Sequence, residues 1–341
     1  MSRIGWYLNS KFYNNKWSCI SENNYSKKNI TFYFFDDIFA NLNWEVEPVL
    51  SYDYLLEQRA KQLRDSYDYL RLWYTSGSDS ETILQTFLKH NIYIDEIAVA
   101  KNPFINSDRE LNKRAIPRLK LLENKFPNTF INIFQTSTQQ YLEILENQDY
   151  DKIASDITLR SMSYLSSCYY THPKLLEAPH FKYNKVANLI GHIKPKLEKR
   201  NNKFFTYEWD TAISTVTLAP NLEMFYTSPN FPELHLKQCH IAKNYIKHKY
   251  PQINHQVFSE NNEYREDIET AIRVPIDNTH TFTKENTLRN LTPKAKLALQ
   301  EAYTTAPNVY YAFKNLTKDY AFMFKKWNTL GIKSKEYCLG T

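Results

Sequence analysis

The strongest constraint on this fold is a change of hydrophobic period within a few residues of Thr75. Upstream, Tyr69-Leu70-Arg71-Leu72 runs through Trp73 and Tyr74 as an apolar stretch with the length of a buried strand. Downstream, from Ser80 onward, Ile83, Leu84, Phe87 and Leu88 recur at helical spacing. Between them stand Thr75-Ser76-Gly77-Ser78-Asp79, all small or turn-forming. A strand that breaks into small residues at the mouth of a helix is suited to hold an anion. First-turn amides lack intrahelical acceptors, the positive end of the helix dipole faces the loop, and small side chains let phosphate oxygens approach the backbone. The plainer reading of the same residues is a serine-rich turn that caps a helix. No G-x-x-x-x-G-K-[ST] occurs, so the loop is not of the Walker type.

The alternation continues along the chain. Asp95–Ala100 reads as a second strand, 107–125 as a charged helix interrupted near Pro117, and Thr129–Phe134 as a third strand followed by a helix over 138–147. Val186–Ile190 is a fourth strand, ending in a turn at Gly191 with Lys194 and Lys196 beyond it. Strands alternating with helices at these lengths predict a parallel sheet, with ligands beyond the carboxyl ends of its strands. That places Thr75–Ser80, Val99-Ala100-Lys101 and Gln135-Thr136 on one rim.

Ahead of this core, Tyr52 to Asp68 reads as an amphipathic helix. Leu55, Ala60, Leu63 and Tyr67 fall on one face, and Glu57, Arg59, Lys61, Arg64 and Asp65 mostly on the other. Residues 1–50 alternate aromatic and polar side chains and predict short strands with turns at Asn14-Asn15 and Asn23-Asn24. Lys203–Asp210 reads as a strand or hairpin arm. The Pro-rich turn after Tyr226 delivers a helix with Leu234, Ile241 and Tyr245 inward, while Glu233, Lys237 and His240 share another face. Residues 151–180 read as helical, then irregular. The last third reads as helical, with an N-terminus at Thr292-Pro293 and a helix over 316–330 closed by Gly331. The organisation expected is a β-rich segment over 1–50, an α/β core over 51–245 and a mainly helical region over 246–341.

The order Thr75-Ser76-Gly77-Ser78-Asp79-Ser80 resembles the Ser-Gly-Gly-x-Asp-Ser loop of the PP-loop ATP pyrophosphatases. That superfamily includes the synthetase domains of asparagine, GMP and NAD synthetases and several nucleobase-modifying enzymes. Gly77, Asp79 and Ser80 match, Thr75 keeps a hydroxyl, and Ser76 replaces a glycine. As a serine it is expected to avoid the backbone conformations that only glycine tolerates. Residues 223–240 are similar to small phage-encoded PP-loop proteins of the asparagine synthetase-like type.

The resemblance implies an adenine nucleotide α-hydrolase-like α/β fold, ATP and Mg²⁺ as cofactors, and an AMP- and pyrophosphate-forming ligase or modifying enzyme. A carboxylate or carbonyl oxygen would attack the α-phosphorus, and a nitrogen nucleophile would then attack the adenylated carbon. Thr75, Ser76, Gly77, Ser78, Asp79 and Ser80 would hold the phosphates, with Asp79 also at Mg²⁺. Ala100 and Lys101 would border the adenine. Gly191 would shape a second loop, from which Lys194, with Lys196 second, would meet the leaving pyrophosphate. Pro195 fixes the backbone between these lysines, so that one can be aimed while the other is not.

Two rivals accompany this reading. The tail Glu336-Tyr337-Cys338-Leu339-Gly340 resembles the Glu-Cys-Gly tail of sulfonucleotide reductases, which would make Cys338 a nucleophile, although Tyr337 interrupts the pattern. A PP-loop protein that binds nucleotide without turnover is the other. An internal glutaminase is rejected, because Ser2 rather than Cys follows Met1 and some fifty residues are too few for such a domain.

The remaining features narrow little. A net charge of +6, from 43 basic and 37 acidic residues, suits a nucleotide or polyanion without demanding one, and no Lys/Arg tract marks a nucleic-acid arm. The resemblance leaves the acceptor open, from a free amino acid to a nucleobase, including a base in DNA. Cys19, Cys168, Cys239 and Cys338 form no C-x-x-C pair, and His235 and His240 lack the i, i+4 spacing of a helical metal pair, so a zinc site is not expected. With no secretory signal and no long apolar run, a cytoplasmic protein without a membrane partner is expected.

Overall fold

The computed structural model describes residues 4–14, 19, 22–23, 28–101, 115–123, 125–135, 185–191, 194–210, 222–258, 262–273 and 331–341. The helices read over 138–147, 151–180 and 292–330 lie outside these residues.

The first element is an antiparallel sheet of β1 (Ile4–Leu8), β2 (Lys11–Tyr13) and β3 (Ile30–Phe34), in the order β2-β1-β3. Its first hairpin turns at Asn9, whose φ of 55° suits an asparagine; Asn15 and Asn24, in the two turns expected, lie outside the described residues. A single helical turn, α1 (Asp36–Phe39), follows.

Helix α2 (Tyr52–Ser66) is capped by the Ser51 hydroxyl and buries Leu55, Leu56, Ala60 and Leu63. Arg59, expected on the polar face, is buried too. Its guanidinium bonds Glu223 at 2.8 Å and the carbonyls of Met224 and Phe225, so pairing rather than solvent satisfies the charge.

The core sheet holds β4 (Tyr69–Trp73), β5 (Glu96–Lys101), β6 (Phe130–Gln135), β7 (Val186–Ile190) and β10 (Leu222–Met224), all parallel, in the order β10-β7-β4-β5-β6. Helices α3 (Ser78–Lys89) and α4 (Ile116–Glu123) connect its first strands, and Pro117 is the second residue of α4. Leu70, Leu72 and Tyr74 share one face with Ile97, Val99, Ala187 and Leu189, and that face packs on Leu55, Leu63, Ile83, Leu84 and Phe87 of α2 and α3.

The opposite face is polar at its centre. Arg71, 1% exposed, bonds Glu96 at 2.8 Å, and Glu96 also accepts from Tyr69 and Asn132. A buried charge is tolerable only in such a paired, hydrogen-bonded setting.

The third sheet is antiparallel, β11-β8-β9-β12, from β8 (Lys196–Arg200), β9 (Lys203–Tyr207), β11 (Gln256–Val257) and β12 (Tyr337–Gly340). The β8–β9 turn, Asn201-Asn202, has φ of 48° and 62°, the paired positive values a two-residue hairpin turn needs. Helix α5 (Pro232–Lys249) contacts this sheet, α2 and α6 (Asn262–Ile272). Its inward side carries Leu234, Cys239, Ala242 and Ile246, whereas Ile241 and Tyr245 are only half-buried. Within 246–341 the described residues hold the end of α5, helix α6 and the strands β11 and β12, while 274–330, most of the region read as helical, lies outside the described residues. No described helix is long and apolar enough to cross a membrane.

Candidate functional site

The chain leaves β4 and builds β5 and β6 on one side, then returns to build β7 and β10 on the other. The carboxyl ends of β4 and β7 therefore flank a topological switch point, the usual ligand crevice of an open parallel sheet. Thr75–Ser80 follows one of these ends and Gly191–Lys194 the other. The ends of β5, with Ala100 and Lys101, and of β6 lie on the same rim by their parallel register.

The loop is drawn together by its own hydroxyls. Ser80 Oγ accepts from the Thr75 amide at 3.2 Å, lies 3.3 Å from Thr75 Oγ1 and donates to the Gly77 carbonyl at 3.2 Å. Helix α3 begins at Ser78, two residues before the periodicity placed it, and Gly77 is an N-cap with no side chain to cap it. The amides of Ser78, Asp79 and Ser80 thus open on the loop without intrahelical acceptors.

Ser76 departs from expectation. It adopts φ 57°, the left-handed region, while Gly77 stays extended at φ −75°. A serine is admitted there at a cost of about 1 kcal/mol, and the compact loop imposes it. Its hydroxyl is buried and has no hydrogen-bond partner.

Gly191 is fixed by close approach. A Cβ there would stand 2.9 Å from the Asp79 carbonyl carbon and 3.1 Å from the Ser80 amide nitrogen, so the two loops touch backbone to backbone. Lys194 reaches back from this second loop, with Nζ 3.2 Å from Asp79 Oδ2 and 2.7 Å from Glu269 Oε2. Lys196 opens β8 near enough to feel Lys194 and Asp79 electrostatically, but Glu208 is its strongest charged neighbour, and burial lowers its pKa against the raising pull of Glu208.

Arg273, just past α6, was not read from the sequence. It donates from Nε to Asp79 Oδ1 at 2.6 Å, and Nη2 lies 2.5 Å from the same oxygen, off the line of a second hydrogen bond. The guanidinium sits 4.1 Å over the Tyr226 ring and donates to Gln238. The Tyr226 hydroxyl donates to the Asp79 carbonyl at 2.7 Å. Burial raises the Asp79 pKa, but Arg273 and then Lys194 outweigh it, and the carboxyl ends below its ordinary range. Ser78 donates its hydroxyl to Glu269 of α6. Glu269 and Arg273 stand 191 and 194 residues from their loop partners in sequence, and no local pattern marks them.

The other candidates sit apart from this cluster. Cys338 lies in β12 opposite Phe205. His235 and His240 are buried, and His240 bonds the Trp44 carbonyl at 2.9 Å. His235 Nε2 is 3.9 Å from Glu208 Oε1, and neither Glu208 oxygen has a hydrogen-bond partner. Burial raises the Glu208 pKa to about 8 and lowers that of His235 to about 4. Among the described residues, no group of three or more His, Cys, Asp or Glu is disposed to hold a metal.

No protein-family model, curated protein or solved structure matches the chain.

Proposed function

We propose that the chain is an ATP-dependent, AMP- and pyrophosphate-forming ligase or modifying enzyme of the PP-loop type. The observation that carries this is an uncapped helix N-terminus at the switch point of a parallel sheet, carrying Thr75-Ser76-Gly77-Ser78-Asp79-Ser80. The unpartnered Ser76 hydroxyl beside it adds a donor with nothing yet to bind.

In this reading the amides of Ser78 to Ser80 and the hydroxyls of Thr75 and Ser80 hold the β- and γ-phosphates. Lys194 brings a mobile positive charge to the leaving pyrophosphate. Arg273 joins the set as a second cation, held by Tyr226 and Gln238 at the rim of the loop. The oxygen nucleophile of the acceptor attacks the α-phosphorus and pyrophosphate leaves. A nitrogen nucleophile then displaces AMP from the activated carbon. The protein's part is position and charge.

Mg²⁺ suits the site in one respect, since beside phosphates it needs only one or two protein carboxylates and Asp79 supplies one. The ion would spread the negative charge of the phosphates. Asp79, which now pairs with Arg273 and Lys194, would be the residue to hold it. The acceptor is a small molecule or a nucleobase.

The test is incubation with α-labelled ATP, Mg²⁺ and candidate acceptors. AMP with pyrophosphate, lost in Asp79→Ala, is the expected result. ADP as product, or binding with no product under any acceptor, overturns the ligase reading. A thiol-dependent reaction that needs Cys338 and releases no pyrophosphate puts the reductase rival in its place.

A further inference from the structure

Helix α6 presents opposite charges to the two halves of the loop. Glu269 and Arg273 are four residues apart, one turn of helix. Glu269 takes the groups that favour an anion, with one carboxylate oxygen on the Ser78 hydroxyl and the other 2.7 Å from Lys194 Nζ. Arg273 takes the group that favours a cation, the Asp79 carboxylate. The helix is anchored behind these contacts by Ile268 and Ile272 in the core, and by Asp267, which binds Lys249 and Tyr250 at 2.6 Å each.

A carboxylate that divides its two oxygens between a hydroxyl at a helix N-terminus and an ammonium does what two phosphate oxygens do there. We propose that Glu269 is an internal competitor for the phosphate seat, occupying Ser78 and Lys194 in the empty protein and displaced when nucleotide loads. This rests on the phosphate-binding reading above and adds a device to it. Loading becomes an exchange of one anion for another, with the Glu269 side chain as the part that moves and α6 loosened where its contacts to Ser78 and Lys194 are lost. Because Glu269 is part exposed, with 30% of its side chain accessible, the displaced carboxylate has water to go to.

Inorganic pyrophosphate is the probe, titrated calorimetrically into the full chain and its variants. Removing a competitor worth an incompletely buried ion pair should tighten binding about threefold to tenfold in Glu269→Ala. Glu269→Gln keeps the side chain's volume and a hydrogen bond without the charge, and should fall between. In the wild type, amides over 262–273 should exchange with solvent faster once pyrophosphate is bound, a change that a purely structural Glu269 would not produce. Binding by the wild type with equal or weaker affinity in both variants, or with α6 exchange unchanged, overturns this inference and leaves the phosphate site standing. Absence of pyrophosphate and ATP binding in every protein removes the site and the competitor together.

Discussion

Replacing Glu208 with glutamine should make the protein more stable at mildly alkaline pH. Both carboxylate oxygens are buried without a hydrogen-bond partner, and burial lifts the pKa from 4.5 to about 8. The groups facing it are Lys196 on β8 and His235 and Cys239 on α5. Between the two values the unfolded chain has released its proton while the folded chain keeps it, so stability falls as pH rises, by at most about 1.4 kcal/mol per pH unit.

His235 works in the opposite sense between about 4 and 6.5, because its folded pKa is depressed and the unfolded chain binds the proton there. The wild type should therefore be nearly level up to about pH 6.5 and lose roughly 1–2 kcal/mol by pH 8. Glu208→Gln keeps His235 and drops the falling limb. The two proteins should match near pH 5 and separate by roughly 2–4 kcal/mol near pH 8, less whatever the amide loses as an unpaired buried group. Urea denaturation at intervals across this range gives the midpoint, and an unchanged slope in denaturant keeps the comparison valid. Parallel curves for the two proteins over pH 5 to 8 would refute the claim that Glu208 is folded in its protonated form.

Other changes test other parts of the structure. Arg71→Met should cost about 3–5 kcal/mol, since it strands Glu96 in the sheet, and pairing it with Glu96→Gln should recover much of that loss in urea melts. Gly191→Ala drives a Cβ into the Asp79 backbone and should lose about 1–3 kcal/mol together with ATP affinity, read by melting and by titration. Ser76→Val places a β-branched residue at φ 57° and should destabilise by about 1–2 kcal/mol, whereas Ser76→Gly should be close to neutral in the same melts.

Hydrophobic period was enough to read four of the sheet's five strands, because buried parallel strands and amphipathic helices write their faces directly into the chain, but the three-residue β10 is too short to show a period. Arg71 and Arg59 resisted that reading. Each is a charge buried by a partner distant in sequence, Glu96 and Glu223, and a local window sees only a polar residue. The loop's residue types were legible, but not their backbone angles. Ser76 carries the positive φ although Gly77 stands beside it, since the Ser80 bridges and the early helix start fix the turn. Lys194 was read ahead of Lys196 across Pro195, and the start of β8 sets Lys194 on Asp79 and Glu269 while Lys196 has Glu208 as its strongest charged neighbour. Glu269, Arg273 and Tyr226 join the site purely through tertiary packing, which nothing in 262–273 announces.

The central claim is that the backbone between β4 and α3 grips linked phosphates. Amide chemical shifts of the isotope-labelled protein, followed as ATP with Mg²⁺ is added, test it directly. The predicted result is that the largest saturable shifts fall on Ser76 to Ser80, with Gly191 and Lys194 next, and that excess pyrophosphate carries these same resonances to the positions it gives alone. Saturable shifts confined to other parts of the chain, with Ser76 to Ser80 unmoved, would contradict it.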